Sequence, residues 1–181
     1  MIGTNDVKGI YEPMWGEGTI ESFDIREGEI SFSTFRRNMS SIITRLVKYS
    51  NAPIAIHTLP PMGEDLDSEA NGFVVKANGI LKDAVQRSGS SRVRIVDSHA
   101  SLEKFVLEVK TPEQITASMS VDKFGDVLAP IALKEVLLGK SLDDCGSAYG
   151  NVIMSDSLHL NDTGAKIVGD AVLEWLKDVE V

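Results

Sequence analysis

Pro53-Ile54-Ala55-Ile56-His57-Thr58-Leu59-Pro60-Pro61 sets a short, almost continuous apolar run between prolines. Ile54 to Leu59 reads as a buried strand, and Pro60-Pro61 stops it because proline cannot donate to a ladder. An apolar run without alternation suits a parallel sheet covered on both faces. The flanks agree with this. Upstream, Phe35, Met39, Ile42, Ile43, Leu46 and Val47 recur at the spacing of one helix face over Ser33 to Ser50, with Ser31 or Ser33 as the cap and Asn51-Ala52-Pro53 as the stop. Downstream, Val74, Ala77, Leu81, Ala84 and Val85 predict a second amphipathic helix over Gly72 to Ser88, closed by Gly89, before a strand at Val93-Arg94-Ile95-Val96-Asp97. Strand, helix and strand in this order predict an α/β three-layer sandwich built on a parallel sheet.

The remaining segments fit around that frame. Lys8 to Ser31 has no sustained period and reads as a long loop whose Tyr11, Met14, Trp15 and Phe23 either wall a pocket or anchor the loop to the core. Met62 to Asn71 carries Glu64, Asp65, Asp67 and Glu69 and reads as a solvated loop. Leu102 to Val109 and Val121 to Leu138 predict helices, the second broken or kinked by Pro130, and Gly139 to Asn151 predicts a loop leading to Val152-Ile153-Met154. The segment at about 100–150 exceeds what one crossover needs, so it is a candidate helical cap or insertion. The last helix is the best defined, with Asn161 or Asp162 as cap and Ala165, Val168, Val172, Trp175, Leu176 and Val179 on its face.

A chain of 181 residues, 43% hydrophobic, supports one domain with a real core. The net charge of −9 repels phosphate backbones, which argues against nucleic acid and points to a neutral or partly cationic small-molecule substrate. The single cysteine, Cys145, excludes an intrachain disulfide, reads as an isolated thiol, and leans the chain toward a cytoplasmic location that the sequence does not fix. No run of 18 apolar residues predicts a membrane span. The sequons at Asn38 and Asn161 read as chance matches, one on a helix and the other beside a candidate site.

That site is Asp156-Ser157-Leu158-His159-Leu160-Asn161-Asp162-Thr163-Gly164. A carboxylate three residues ahead of a histidine can hold one ring nitrogen in a tight turn and leave proton transfer to the other. Taken alone, such a pair is more often a capping aspartate beside a packing histidine. Asp97 and His99, at the end of the second strand, form the internal rival, and His57 reads as a structural histidine.

The chain opens Met1-Ile2-Gly3-Thr4-Asn5-Asp6, so that Gly-x-Asn-Asp stands about 150 residues before Asp-x-x-His-Leu-Asn and a Gly-Ala helix. This pair, in this order, resembles the SGNH hydrolases, also called the GDSL esterase/lipase superfamily. Gly3, Asn5 and Asp6 match the family's third motif; Asp156 and His159 match its last. The resemblance implies a flavodoxin-like sandwich and an esterase, lipase or acyl-hydrolase activity on small-molecule esters. It also implies His159 as general base and then acid, Asp156 as its orienting carboxylate, and the Asn5 amide as an oxyanion donor. Gly3 and Asp6 support the motif, and neither metal nor organic cofactor is required. In the family the nucleophile motif, Gly-Asp-Ser, and a second motif precede Gly-x-Asn-Asp. Here Met1-Ile2 reads as the end of a buried third strand and no Gly-Asp-Ser occurs. The motif order therefore implies a fold incomplete at its N-terminus, with the triad serine outside these residues. The alternative from a different class is a non-catalytic pseudo-hydrolase module that binds carbohydrate or protein.

Overall fold

The computed structural model describes residues 3–11, 31–120, 130–131 and 138–179. It combines helices with a two-stranded parallel sheet. The chain divides into two compact units, Met1–Leu59 with Gly72–Val96, and Pro60–Asn71 with Asp97–Val181.

In the first unit, α1 (Thr4–Tyr11), α2 (Phe32–Tyr49), β1 (Ile54–His57), α3 (Glu69–Ser88, which begins in the second unit) and β2 (Val93–Val96) follow in order. The strands pair in parallel, Ile54 opposite Val93 and His57 opposite Val96, with α3 as the crossover between them. This is the arrangement expected of an apolar strand flanked by amphipathic helices. Ser31 caps α2 by accepting from Thr34 N–H. The buried stripe of α2 is narrower than its sequence period indicates, since Phe35, Met39 and Ile43 are buried whereas Ile42 and Leu46 are exposed. Helix α3 buries Val74, Ala77, Ile80, Leu81 and Ala84. Its Asn78 amide bonds both backbone groups of Leu59, at 2.7 Å to N–H and 3.1 Å to C=O, which ties the end of β1 to the helix. At the other end of the sheet, the Arg92 guanidinium donates to the Val47 and Ser50 carbonyls that α2 leaves unpaired at its C-terminus.

The N-terminal reading needs correction at one point. Asn5 and Asp6 lie in the first turn of a helix, and Lys8 to Tyr11, expected in a loop, continue it. Gly3 makes the turn possible. Its φ of 110° lies where side chains are strained, and a Cβ there would stand 3.1 Å from both Leu59 Cδ2 and Phe35 Cε2. Tyr11 packs edge-on against Phe73 at 5.7 Å between centroids, an anchoring contact. Met14, Trp15 and Phe23 lie outside the described residues.

The second unit contains α4 (Ser98–Val109), α5 (Pro112–Thr116), α6 (Leu142–Ser147) and α7 (Asp162–Lys177). Leu102, Val106, Ile115, Ile153 and Met154 form its core, with Phe105, Leu160, Ile167 and Val168 packed against them. Helix α7 is capped by Asn161, as expected, but it packs through Ile167 and Val168 while Ala165 and Leu176 are exposed. Asn161 is buried with its side-chain oxygen on Gly164 N–H, so its sequon is a capping site. The segment read as a loop over Gly139 to Asn151 contains α6, which Ser141 caps. Asp143 of α6 then accepts from both the N–H and the hydroxyl of Thr163, at 2.9 Å each, and gives α7 a second N-terminal acceptor. The helix expected over Val121 to Leu138 lies outside the described residues except for Pro130, Ile131 and Leu138. No described helix is long and apolar enough to cross a membrane.

The acidic stretch departs most from its reading. Met62, Gly63 and Glu64 are buried, and Glu64 has no exposed surface at all. Asp67, by contrast, is exposed as expected.

Candidate functional site

The Asp156 turn is built as a five-residue loop across an antiparallel bridge between Met154 and Leu160. Ser155 N–H donates to His159 C=O at 2.8 Å and Asn161 N–H to Ile153 C=O at 3.0 Å, which closes the neck. Gly164, on the first turn of α7, allows the neck to sit against the helix, because a Cβ there would fall 2.3 Å from Ile153 O. At the tip, Ser157 adopts φ 74° and is fully buried, with its C=O accepting from Gly63 N–H at 2.6 Å. A serine in the left-handed region is a strained choice, and it turns the chain so that His159 folds back over Asp156.

Asp156 is buried and serves two partners with its two oxygens. Oδ1 accepts from Leu158 N–H at 3.0 Å and His159 N–H at 2.7 Å. Oδ2 stands 2.7 Å from His159 Nδ1. The His159 side chain is 59% exposed. The carboxylate thus caps the turn and orients the ring at once, so the capping and the acid-base readings describe one geometry. Burial opposes ionisation of Asp156, but the bonds from the His159 ring and from the two N–H groups outweigh it and hold the carboxyl below its usual range. The hydrogen bond to Asp156 lifts His159 above an ordinary histidine, against a smaller effect of burial and with help from the Asp156 charge. An ionised carboxylate on Nδ1 selects the tautomer with its proton there and assigns proton transfer to Nε2.

The rivals are placed differently. Asp97 caps α4, its side chain accepting from Ala100 N–H at 3.3 Å, and His99 lies in the first turn of that helix. The extended backbone that would align Asp97 with His99 ends at Val96. His57 is the last residue of β1, and partial burial lowers its pKa. Asn5 and Asp6 are exposed on α1 of the first unit, with Gly3 at its turn, whereas Asp156 and His159 belong to the second. Cys145 is buried and free of disulfide. Among the described residues no group of three or more His, Cys, Asp or Glu is placed to hold a metal ion.

Sequence reasoning missed Glu64 and Lys110. Glu64 Oε1 accepts from Val152 and Ile153 N–H at 2.7 Å and from Met154 N–H at 3.1 Å. Its Oε2 receives Lys110 Nζ at 2.9 Å. Lys110, buried at the end of α4, also donates to Gly150 C=O at 2.9 Å and to the Ser118 hydroxyl. The one available signal was the apolar run of Leu59 to Gly63 continuing up to Glu64, which sets that carboxylate apart from Asp65, Asp67 and Glu69. Comparison with protein-family models, with curated proteins and with solved structures found no match to this chain.

Proposed function

We propose that this chain carries the acid-base half of an SGNH-type esterase, acting on carboxylic esters of small molecules within a three-layer, flavodoxin-like sandwich. The observation that supports it best is the doubly fixed Asp156–His159 pair, with a buried carboxylate on Nδ1 and an exposed ring. His159 Nε2 takes the proton of a serine hydroxyl as that oxygen attacks the ester carbonyl carbon. As the carbonyl re-forms, the bond to the alcohol oxygen breaks and the imidazolium returns its proton to that oxygen. Water then attacks the acyl-enzyme by the same route. Asp156 keeps the ring in one tautomer and stabilises the imidazolium between the steps.

The chain has no Gly-Asp-Ser, so this reading draws the hydroxyl from outside the 181 residues. The chain alone is then expected to hydrolyse a p-nitrophenyl acyl ester no faster than its His159→Ala variant, and to resist a fluorophosphonate. Labelling of one of its serines, with turnover well above that control, would place the nucleophile inside the chain and overturn this assignment.

A further inference from the structure

Four backbone groups in the five residues that lead into the Asp156 turn are held by one buried ion pair. Glu64 takes the N–H groups of Val152, Ile153 and Met154, and Lys110 takes the carbonyl of Gly150. Met154 is also the residue that bridges to Leu160, and Ser155, next in line, closes the turn on His159. The residue before Glu64 grips the tip as well, since Gly63 N–H donates to Ser157 C=O. The loop that supplies these contacts is fixed from within. Asn71 at the start of α3 accepts from Met62 N–H at 2.8 Å and donates to Asp65 C=O at 2.7 Å, holding Glu64 between them. Three donors converging on one carboxylate oxygen specify a position far more narrowly than apolar packing does, because each bond has its own direction as well as its own length. A carboxylate would be an expensive way merely to fill this space, since two apolar side chains of similar size commonly replace a buried ion pair without loss.

We propose that Glu64, with Lys110 as its counter-charge, is a positioning residue for the Asp156–His159 pair, setting the turn's geometry through the N–H groups of residues 152–154. The proposal rests on the reading of that pair as the acid-base machinery, but its test does not use ester hydrolysis, so the two fail separately. Glu64→Gln keeps the shape and one acceptor oxygen, while it leaves Lys110 without a counter-charge and turns an NH2 toward backbone donors. The measurement is the His159 C2–H chemical shift against pH, with Asp156→Asn as the reference for a broken pair and Leu102→Ala as a core variant that loosens the apolar packing around Ile153 and Met154 without removing a hydrogen bond to the turn.

Glu64→Gln is expected to move the His159 midpoint at least half of the way to its value in Asp156→Asn, and Leu102→Ala to leave it in place. A folded Glu64→Gln chain with the wild-type midpoint would overturn the proposal, as would an equal displacement in Leu102→Ala. Should Glu64→Gln not fold, amide exchange in the wild-type chain decides. The N–H groups of Ile153, Met154 and His159 are expected to open together, with protection equal within about threefold. Exchange at His159 more than about a hundredfold faster than at Ile153 would show that the turn opens independently of the clamp, and would overturn it.

Discussion

His159 and Asp156 meet twice: the ring Nδ1 stands 2.7 Å from Oδ2, and the backbone N–H of the same histidine donates to Oδ1 at 2.7 Å. One carboxylate therefore fixes both the path of the chain and the plane of the ring. Freeing the ring by rotation leaves Oδ1 engaged, so the pair can lose its acid-base geometry without the turn unfolding.

The first consequence is spectroscopic. His159 should titrate above the ordinary histidine value of about 6.5, and Asp156→Asn should bring it down toward or below that value, because the amide removes the charge and weakens the bond that favours the imidazolium. His99→Ala should leave the midpoint unchanged. A histidine C2–H titration by NMR reads all three.

Stability should follow the same pair with pH. The raised His159 pKa gives a contribution that is complete below the unfolded value of about 6.5 and is lost as pH rises through the folded one. The lowered Asp156 pKa gives one that is present above the unfolded value of about 3.9 and is lost as pH falls through the folded one. Both operate together between about pH 4 and 6.5. The difference in melting temperature between wild type and Asp156→Asn should be largest in that window and narrow on either side. A constant difference from about pH 2.5 to 9 would contradict the ionic pairing.

Within the acidic stretch, two carboxylates should behave oppositely. Glu64→Ala leaves Lys110 buried without its partner and three N–H groups unpaired, a change expected to cost about 3–5 kcal/mol. Asp67→Ala, at an exposed position, should stay within about 0.5 kcal/mol. Urea unfolding of the two variants gives the comparison. Gly164→Ala should also destabilise, by about 1–3 kcal/mol, because the new Cβ would press on the Ile153 carbonyl and push α7 off the neck of the turn.

Much of this architecture was legible in the sequence, and each exception has its own physical cause. Periodicity located α2, α3, α4, α7 and both strands, since each buries one stripe or run and turn residues bound it. It overstated the buried stripe of α2, where Ile42 and Leu46 show that an apolar position need not find a partner. It missed α6, only six residues long, because a capping serine and two aspartates look the same in a loop. The spacing of Asp156 and His159 anticipated their contact, as a local turn can be read locally. Glu64 was read as solvated because its partners are Lys110, 46 positions away, and Val152 to Met154, 88 to 90 away, and charge composition carries no information at that range.

The central claim, that Asp156 and His159 run ester hydrolysis with a serine from outside these residues, is tested most directly by kcat on one short-chain p-nitrophenyl ester. The protein is produced from its full open reading frame, as wild type, His159→Ala and His99→Ala, with folding checked by circular dichroism. The wild type should turn over, His159→Ala should lose about 10³-fold or more, and His99→Ala should match the wild type. Turnover that survives in His159→Ala and vanishes in His99→Ala, or a folded wild type with no turnover at all, would contradict the account.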